Sequence, residues 1–170
     1  IFAARNGHQV ELFEKNEKIG KKLFITGKGR CNVTNAGDMD ALFDAVKSNP
    51  KFLYSGFYSF TNEQVIDLFE ELGVKTKVER GGRVFPLSDH SSDVIQALAR
   101  EMQRLNVNVK LHTEVKELIL KDGQAAGVLL SSGKKMDADA VIVATGGISY
   151  PSTGSTGDGY KFAKAGGHKV

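Results

Sequence analysis

The residues best suited to chemistry crowd into one stretch, EKNEKIGKKLFITGKGRCNVTN, running from Glu14 to Asn35. It supplies Glu14 and Lys15, then Gly20, Lys21 and Lys22, then Thr26, Gly27, Lys28, Gly29, Arg30, Cys31 and Asn32. These types suit a nucleotide. Glycines let main-chain N–H groups approach a polyanion, lysine and arginine neutralise it, and a carboxylate accepts hydrogen bonds from ribose hydroxyls. Two further glycine-bearing segments lie downstream: Ala144, Thr145, Gly146 and Gly147 (ATGG), and Thr153 to Gly159 (TGSTGDG). A strand ending in Thr-Gly-Gly lets backbone pass beneath a cofactor. Asp158, between Gly157 and Gly159 at the start of YKFAKAGG, can cap a helix or accept from hydroxyls.

The elements that must position these groups follow from periodicity and punctuation. Ile1 to Asn6 reads as the end of a helix closed by Gly7, and Gln9 to Glu14 (QVELFE) as a short buried strand ending in an acid. Helix, glycine, strand and terminal acid form the second half of a βαβ dinucleotide-binding unit. In that unit the acid lies roughly 20 residues beyond a G-x-G-x-x-G loop, so the loop and first strand are expected before Ile1. Asp38 can cap DALFDAV, Pro50 opens KFLYSGFYSF, and Thr61 caps NEQVIDLFEEL, which Gly73 ends. Val74 to Val78 and Arg83 to Phe85 read as strands joined by Gly81-Gly82, and Ser91 or Ser92 as the cap of DVIQALAREMQRL, closed by Asn106. The strand VNVKLH completes another β-α-β passage. Val115 to Leu120, Ala125 to Leu130 and a piece around Met136 follow across tight turns as an antiparallel meander. Ala140 to Thr145 (AVIVAT) reads as a central parallel strand emptying into a ligand crevice. The expectation is an α/β, Rossmann-like domain: a central parallel sheet with helices plus an antiparallel meander, incomplete at both ends.

Composition narrows the function classes. The 170 residues are 41% hydrophobic and 25% charged, with 23 Lys plus Arg against 20 Asp plus Glu, a net +3. That balance is too small to indicate nucleic acid or membrane by itself. The basic run Lys18 to Arg30 could serve a non-redox nucleotide- or nucleic-acid-binding module, yet only Phe24 interleaves it, so nucleic acid is the weaker reading. Cys31 is the sole cysteine. An internal disulfide is therefore impossible, nothing indicates an oxidising compartment, and a cytoplasmic protein is the default. Arg30 and Lys28 would lower the Cys31 pKa if it were a redox thiol, but no second cysteine could resolve its oxidised form. No apolar run approaches the length of a membrane span. His8, His90, His112 and His168 lack metal spacing, so no metal site is expected. GKGRC lacks the Ser or Thr of a P-loop, and Asp67, Glu70 and Glu71 read as a solvated helix face. The aromatic residues Phe52, Tyr54, Phe57, Tyr58 and Phe60 could stack on a flat ring system, but core packing is the better reading.

The order of these pieces resembles the FAD-binding half of two-dinucleotide-binding-domain flavoproteins. More narrowly, GKKLFITGKGRCNVTN, VERGGRVFPLSDHSSDVI and ATGGISYPSTGSTGDGYKFAKAGGH are similar to the HI0933-like, or YhiN-like, family of NAD(P)/FAD-dependent oxidoreductases. The resemblance covers essentially the whole chain and implies that residues 1–170 are part of an FAD-binding domain, with a substrate-side region beyond Val170. It places Glu14 on the adenosine ribose, Lys15 beside the adenine, and Lys21 and Lys22 towards the phosphates. It implies that Gly27 to Asn32, including Gly29, Arg30, Cys31 and Asn32, run along the ribityl and flavin side, where a cationic Arg30 or Lys28 would favour anionic reduced flavin. Val115 would meet the adenine through its backbone. Ala144 to Gly147 would pass near the pyrophosphate, and Gly157, Asp158 and Gly159 would approach the flavin or its ribityl hydroxyls. FAD is the implied cofactor, NAD(P)H the implied reductant, and a small molecule the implied substrate.

Overall fold

A computed structural model describes residues 1–170. In chain order it contains α1 (Phe2–Arg5), β1 (Glu11–Phe13), α2 (Lys21–Ile25), β2 (Thr34–Asn35), α3 (Met39–Asp44), α4 (Tyr54–Ser59) and α5 (Asn62–Glu71). There follow β3 (Thr76–Glu79), β4 (Arg83–Pro86), α6 (Ser91–Arg104), β5 (Asn108–Lys110), β6 (Val115–Lys121), β7 (Gln124–Leu130), β8 (Lys135–Asp137) and α7 (Asp158–Ala165). The fold class is α/β as expected, with one parallel strand pair and two antiparallel sheets. No helix is long and apolar enough to cross a membrane.

The chain divides into two compact units. The first comprises Ile1–Lys22 and Asn106–Val170. In it β1 pairs in parallel with β5, with Leu12 opposite Val109 and Phe13 opposite Lys110. Two residues with left-handed backbone frame this pair, Gly7 (φ 85) after α1 and Asn106 (φ 55) before β5, which are the positions where helix-ending residues were expected. The meander β6-β7-β8 is antiparallel, and its first turn uses Asp122 (φ 52) and Gly123 (φ 77). Two successive left-handed residues match the right-handed twist of the strands they join. Helix α7 packs against β6.

The second unit is Leu23–Leu105. Its sheet has the order β2-β4-β3, all antiparallel. Helix α5 begins with a reciprocal capping box: Thr61 accepts from the Gln64 N–H, while Gln64 accepts from the Thr61 N–H. Asp38 caps α3 by accepting from the Ala41 N–H. The apolar faces of α5 and α6 bury Phe69, Val94 and Ala97 around Val74 and Cys31.

Three expectations need correction. Ala140–Thr145 is not a strand: no other stretch pairs with it, Ile142 is 82% exposed and Val143 44%. Hydropathy marks a segment able to be a central strand, but a strand exists only where a neighbour supplies amides and carbonyls. Ser91 does not cap α6, because its fully buried hydroxyl donates to the Phe24 carbonyl. The aromatic group is not core: Phe52 is 80% exposed and Tyr58 63%. The basic run forms α2 and then a tight 3-10 turn, Thr26–Gly29, in which Gly27 and Lys28 are left-handed.

Candidate functional site

The expected site residues fall into two groups, one in each compact unit. In the first, β1 delivers Glu14, Lys15 and Asn16 to the C-terminal end of the parallel pair, where open α/β sheets bind ligands. Glu14 Oε1 accepts from the Asn16 main-chain N–H at 2.8 Å and from Asn16 Nδ2 at 2.7 Å. Lys15 Nζ donates to Asp158 Oδ2 at 2.7 Å, and Thr156 Oγ1 donates to the same oxygen at 2.7 Å. With Lys161 on the other oxygen, this pairing holds the Asp158 carboxyl down at a pKa of about 2, Lys15 being the largest cause. Asp158 therefore does not cap α7 with its own side chain; it fastens the Thr153–Gly159 loop to the end of β1.

Glycines make that fastening possible. A Cβ on Gly154 would lie 2.6 Å from Asn16 Nδ2, and one on Gly159 would lie 2.7 Å from Thr145 Oγ1. The Gly157 N–H donates to the Gly147 carbonyl at 3.1 Å, and a Cβ on Gly146 would touch Ser155 Oγ. The structure thus brings together two segments some ten residues apart, Ala144–Gly147 and Gly157–Gly159. Lys21 Nζ reaches Asn16 Oδ1 and Glu17 Oε2, each at 3.3 Å. Lys22 Nζ donates to the Ser149 carbonyl at 2.7 Å and lies 5.0 Å from the Tyr150 ring centre. Val115 opens β6, half-buried opposite Leu130.

Beside this strand end lies a cavity of about 660 Å³. Its lining includes Lys15, Asn16, Thr156, His112, Thr113 and Lys134 of the β7–β8 turn. Its volume falls within the roughly 300–1,000 Å³ typical of small-molecule sites. Asn16 was missed by sequence reasoning, although it connects the site: besides Glu14 and Lys21, its Nδ2 donates to the Thr153 carbonyl, and its own carbonyl accepts from the His112 N–H. An asparagine two residues beyond a strand-end acid is a turn signal that could have revealed it.

The second group sits in the other unit. A Cβ on Gly27 would meet Phe85 at 2.8 Å and the Asn32 N at 2.9 Å, so the Gly27–Asn32 turn closes only around glycine. Gly29 is also left-handed, at φ 86. The Arg30 guanidinium lies 4.0 Å from the Phe85 ring centre and pairs with Glu79 at 2.8 Å and Asp89 at 3.2 Å. Lys77 joins the same two carboxylates at 3.6 and 2.6 Å. These pairings raise the Arg30 and Lys77 pKa values and lower those of Glu79 and Asp89. Asn32, its amide oriented by its partners, donates to the carbonyls of Thr34 and Val84. Cys31 is 1% exposed, and burial pushes its thiol pKa up although Thr26 hydrogen-bonds it. A redox role resting on a pKa lowered by Arg30 and Lys28 is therefore overturned, because desolvation dominates.

The chain is 36% identical over 172 residues to a 3-dehydro-bile acid delta(4,6)-reductase of Clostridium scindens, covering 100% of this chain and 41% of that protein. It is 30% identical over 168 residues to a ribosomal RNA dihydrouridine synthase of Escherichia coli, covering 99% of this chain and 41% of that one. The chain thus spans about two fifths of the length of these relatives. Among solved structures, a flavocytochrome c3 fumarate reductase in its open conformation superposes with a TM-score of 0.66 at 20% identity, over 97% of this chain and 37% of that one. L-proline dehydrogenase from P. horikoshii gives 0.53 at 16% identity, over 99% of this chain and 52% of that one. At such identities these two establish the fold. The HI0933-like protein Rossmann domain model matches residues 1–170, and the chain accordingly belongs to the HI0933-like family.

Proposed function

We propose that this chain holds the adenosine half of FAD at the C-terminal end of the β1–β5 pair, within an oxidoreductase that takes electrons from NAD(P)H and reduces a carbon–carbon double bond conjugated to a carbonyl. The observation that carries the cofactor reading is the joining of Glu14–Asn16 to the Thr153–Gly159 loop beside a cavity of ligand size. The residues present fit the group. Glu14 directs Oε1 to Asn16 and leaves Oε2 to accept from a ribose hydroxyl, while Lys22, on the Ser149 carbonyl, supplies a cation and Lys15 and Lys21 are held by Asp158 and Glu17. Val115 and its neighbours offer main-chain groups to the adenine, and Ala144–Gly147 with Gly157–Gly159 let backbone lie close to the ligand. When bound, FAD would supply two-electron, hydride-equivalent chemistry between a nicotinamide and a conjugated alkene.

The substrate class rests on chemistry shared by two relatives' names. A 3-dehydro-bile acid delta(4,6)-reductase and a dihydrouridine synthase both saturate a double bond conjugated to a carbonyl. The test uses the full-length protein that contains this chain. It is expected to show bound-flavin absorbance, to bleach anaerobically with NADH or NADPH, and to regain colour on adding an α,β-unsaturated ketone or uridine-containing RNA. Lys15→Ala is expected to lower FAD retention. A protein that neither carries nor takes up FAD would overturn the cofactor reading. One that is bleached but reoxidised by no conjugated alkene would overturn the substrate class alone.

A further inference from the structure

The turn that follows β1 is pinned by main chain. The Glu14 N–H donates to the Lys110 carbonyl, the Thr113 N–H to the Glu14 carbonyl and the His112 N–H to the Asn16 carbonyl, at 2.9, 2.9 and 3.0 Å. His112 takes a left-handed backbone, φ 49, where it makes that bond. From this fixed base the half-buried Asn16 side chain reaches three polar groups. Its Nδ2 donates to Glu14 Oε1 at 2.7 Å and to the Thr153 carbonyl at 3.2 Å, while its Oδ1 accepts from Lys21 Nζ at 3.3 Å. Only one amide orientation satisfies that pattern. Two acceptors face the amide nitrogen and an ammonium faces the oxygen, so a flip would break every one of these bonds.

Glu14 meets Asn16 through a single oxygen. Oε1 accepts both the Asn16 main-chain N–H, at 2.8 Å, and Nδ2, which leaves Oε2 as the open acceptor. A free glutamate visits many rotamers, and two donors on one oxygen select among them before any ligand arrives. We propose that Asn16 is a positioning residue for the adenosine ribose. It acts through Glu14, aiming Oε2 at the ribose 2′-hydroxyl, and through the Thr153 carbonyl it keeps the Thr153–Gly159 loop against the same carboxylate. This inference deepens the FAD reading and rests on it. The main-chain N–H stays whatever the side chain, so the side chain's share is the second donor on Oε1 and the link to the loop. Asn16→Asp keeps the shape but sets an oxygen against Oε1 and the Thr153 carbonyl, where acceptors meet without a proton between them.

Calorimetry on the full-length protein freed of flavin tests this by comparing ADP with 2′-deoxy-ADP. The parent is expected to prefer ADP, because a strand-end acid in dinucleotide sites takes the 2′-hydroxyl. Glu14→Ala removes that preference. Asn16→Ala lowers it by roughly threefold to tenfold, and adding Asn16→Ala to Glu14→Ala lowers it no further. Thermal unfolding without flavin identifies the variants that fold; where Asn16→Ala does not, Asn16→Asp carries the same test and the same expected fall. A purely structural role would weaken both nucleotides alike and keep the parent's ratio, and that result overturns the proposal. So does a ratio that falls equally with and without Glu14. A parent that retains FAD yet binds ADP and 2′-deoxy-ADP equally overturns this inference and leaves the cofactor reading standing, whereas one that takes up neither ADP nor FAD overturns both.

Discussion

Asp158 shows how one side chain fixes the loop beside the candidate site. Its carboxylate receives Lys15, Thr156 and Lys161, and its pKa falls from 3.8 to about 2. A depressed carboxylate pKa stabilises the fold above the unfolded value, and the contribution fades as pH falls from 3.8 through about 2. A shift of nearly two units corresponds to about 2 kcal/mol. Asp158→Asn is therefore expected to cost on the order of 2 kcal/mol at neutral pH, with the gap from the parent closing as pH falls towards 2. Urea unfolding at a series of pH values measures this, and a gap independent of pH would refute the assignment. Residue types alone showed that Asp158 was chemically apt; only the fold showed that its partner is Lys15, 143 positions away. The same limit explains Arg30, which the resemblance reads as a cation on the flavin side. Folding gives it Glu79 and Asp89, so its charge is largely met within the protein.

Elements were legible where their signals are local. Capping by Asp38 and Thr61, the left-handed residues at Gly7, Gly73 and Asn106, and the Asp122-Gly123 hairpin depend on neighbours within four positions, and each appears as read. Elements that depend on distant partners were less legible. AVIVAT has strand composition but no paired neighbour, and Ser91 has cap chemistry but spends its hydroxyl on Phe24, 67 positions away. Gly127 lies between these cases. A glycine inside β7 signals a close backbone approach, and here a Cβ would lie 2.2 Å from the Met136 carbonyl oxygen on β8, at φ 152. The obstacle is main chain, so it cannot swing aside. Gly127→Ala is expected to cost about 2 kcal/mol or more by prising β8 from β7. Hydrogen exchange should show faster exchange at the Ala138 N–H, which donates to the Ala126 carbonyl; unchanged protection there would contradict this account.

Across the whole 170 residues, apolar surface is unevenly distributed. Buried groups such as Val84, Phe85 and Val94 are almost completely covered, yet Ile142, Ile148 and Tyr150 are 82, 67 and 67% exposed within one short segment. Scattered exposed side chains are ordinary, whereas several large ones within nine residues form a patch that binds whatever apolar surface it meets. The chain expressed by itself is therefore expected to bind a hydrophobic dye under native conditions. Ile142→Thr with Ile148→Thr should lower that signal, and because both side chains already face solvent, the substitutions should change stability by no more than about 0.5 kcal/mol each. This separates surface patch from molten core. Dye bound by a loosened core would persist in the double variant, whereas dye bound at the 141–150 segment would decrease while the unfolding midpoint stayed in place.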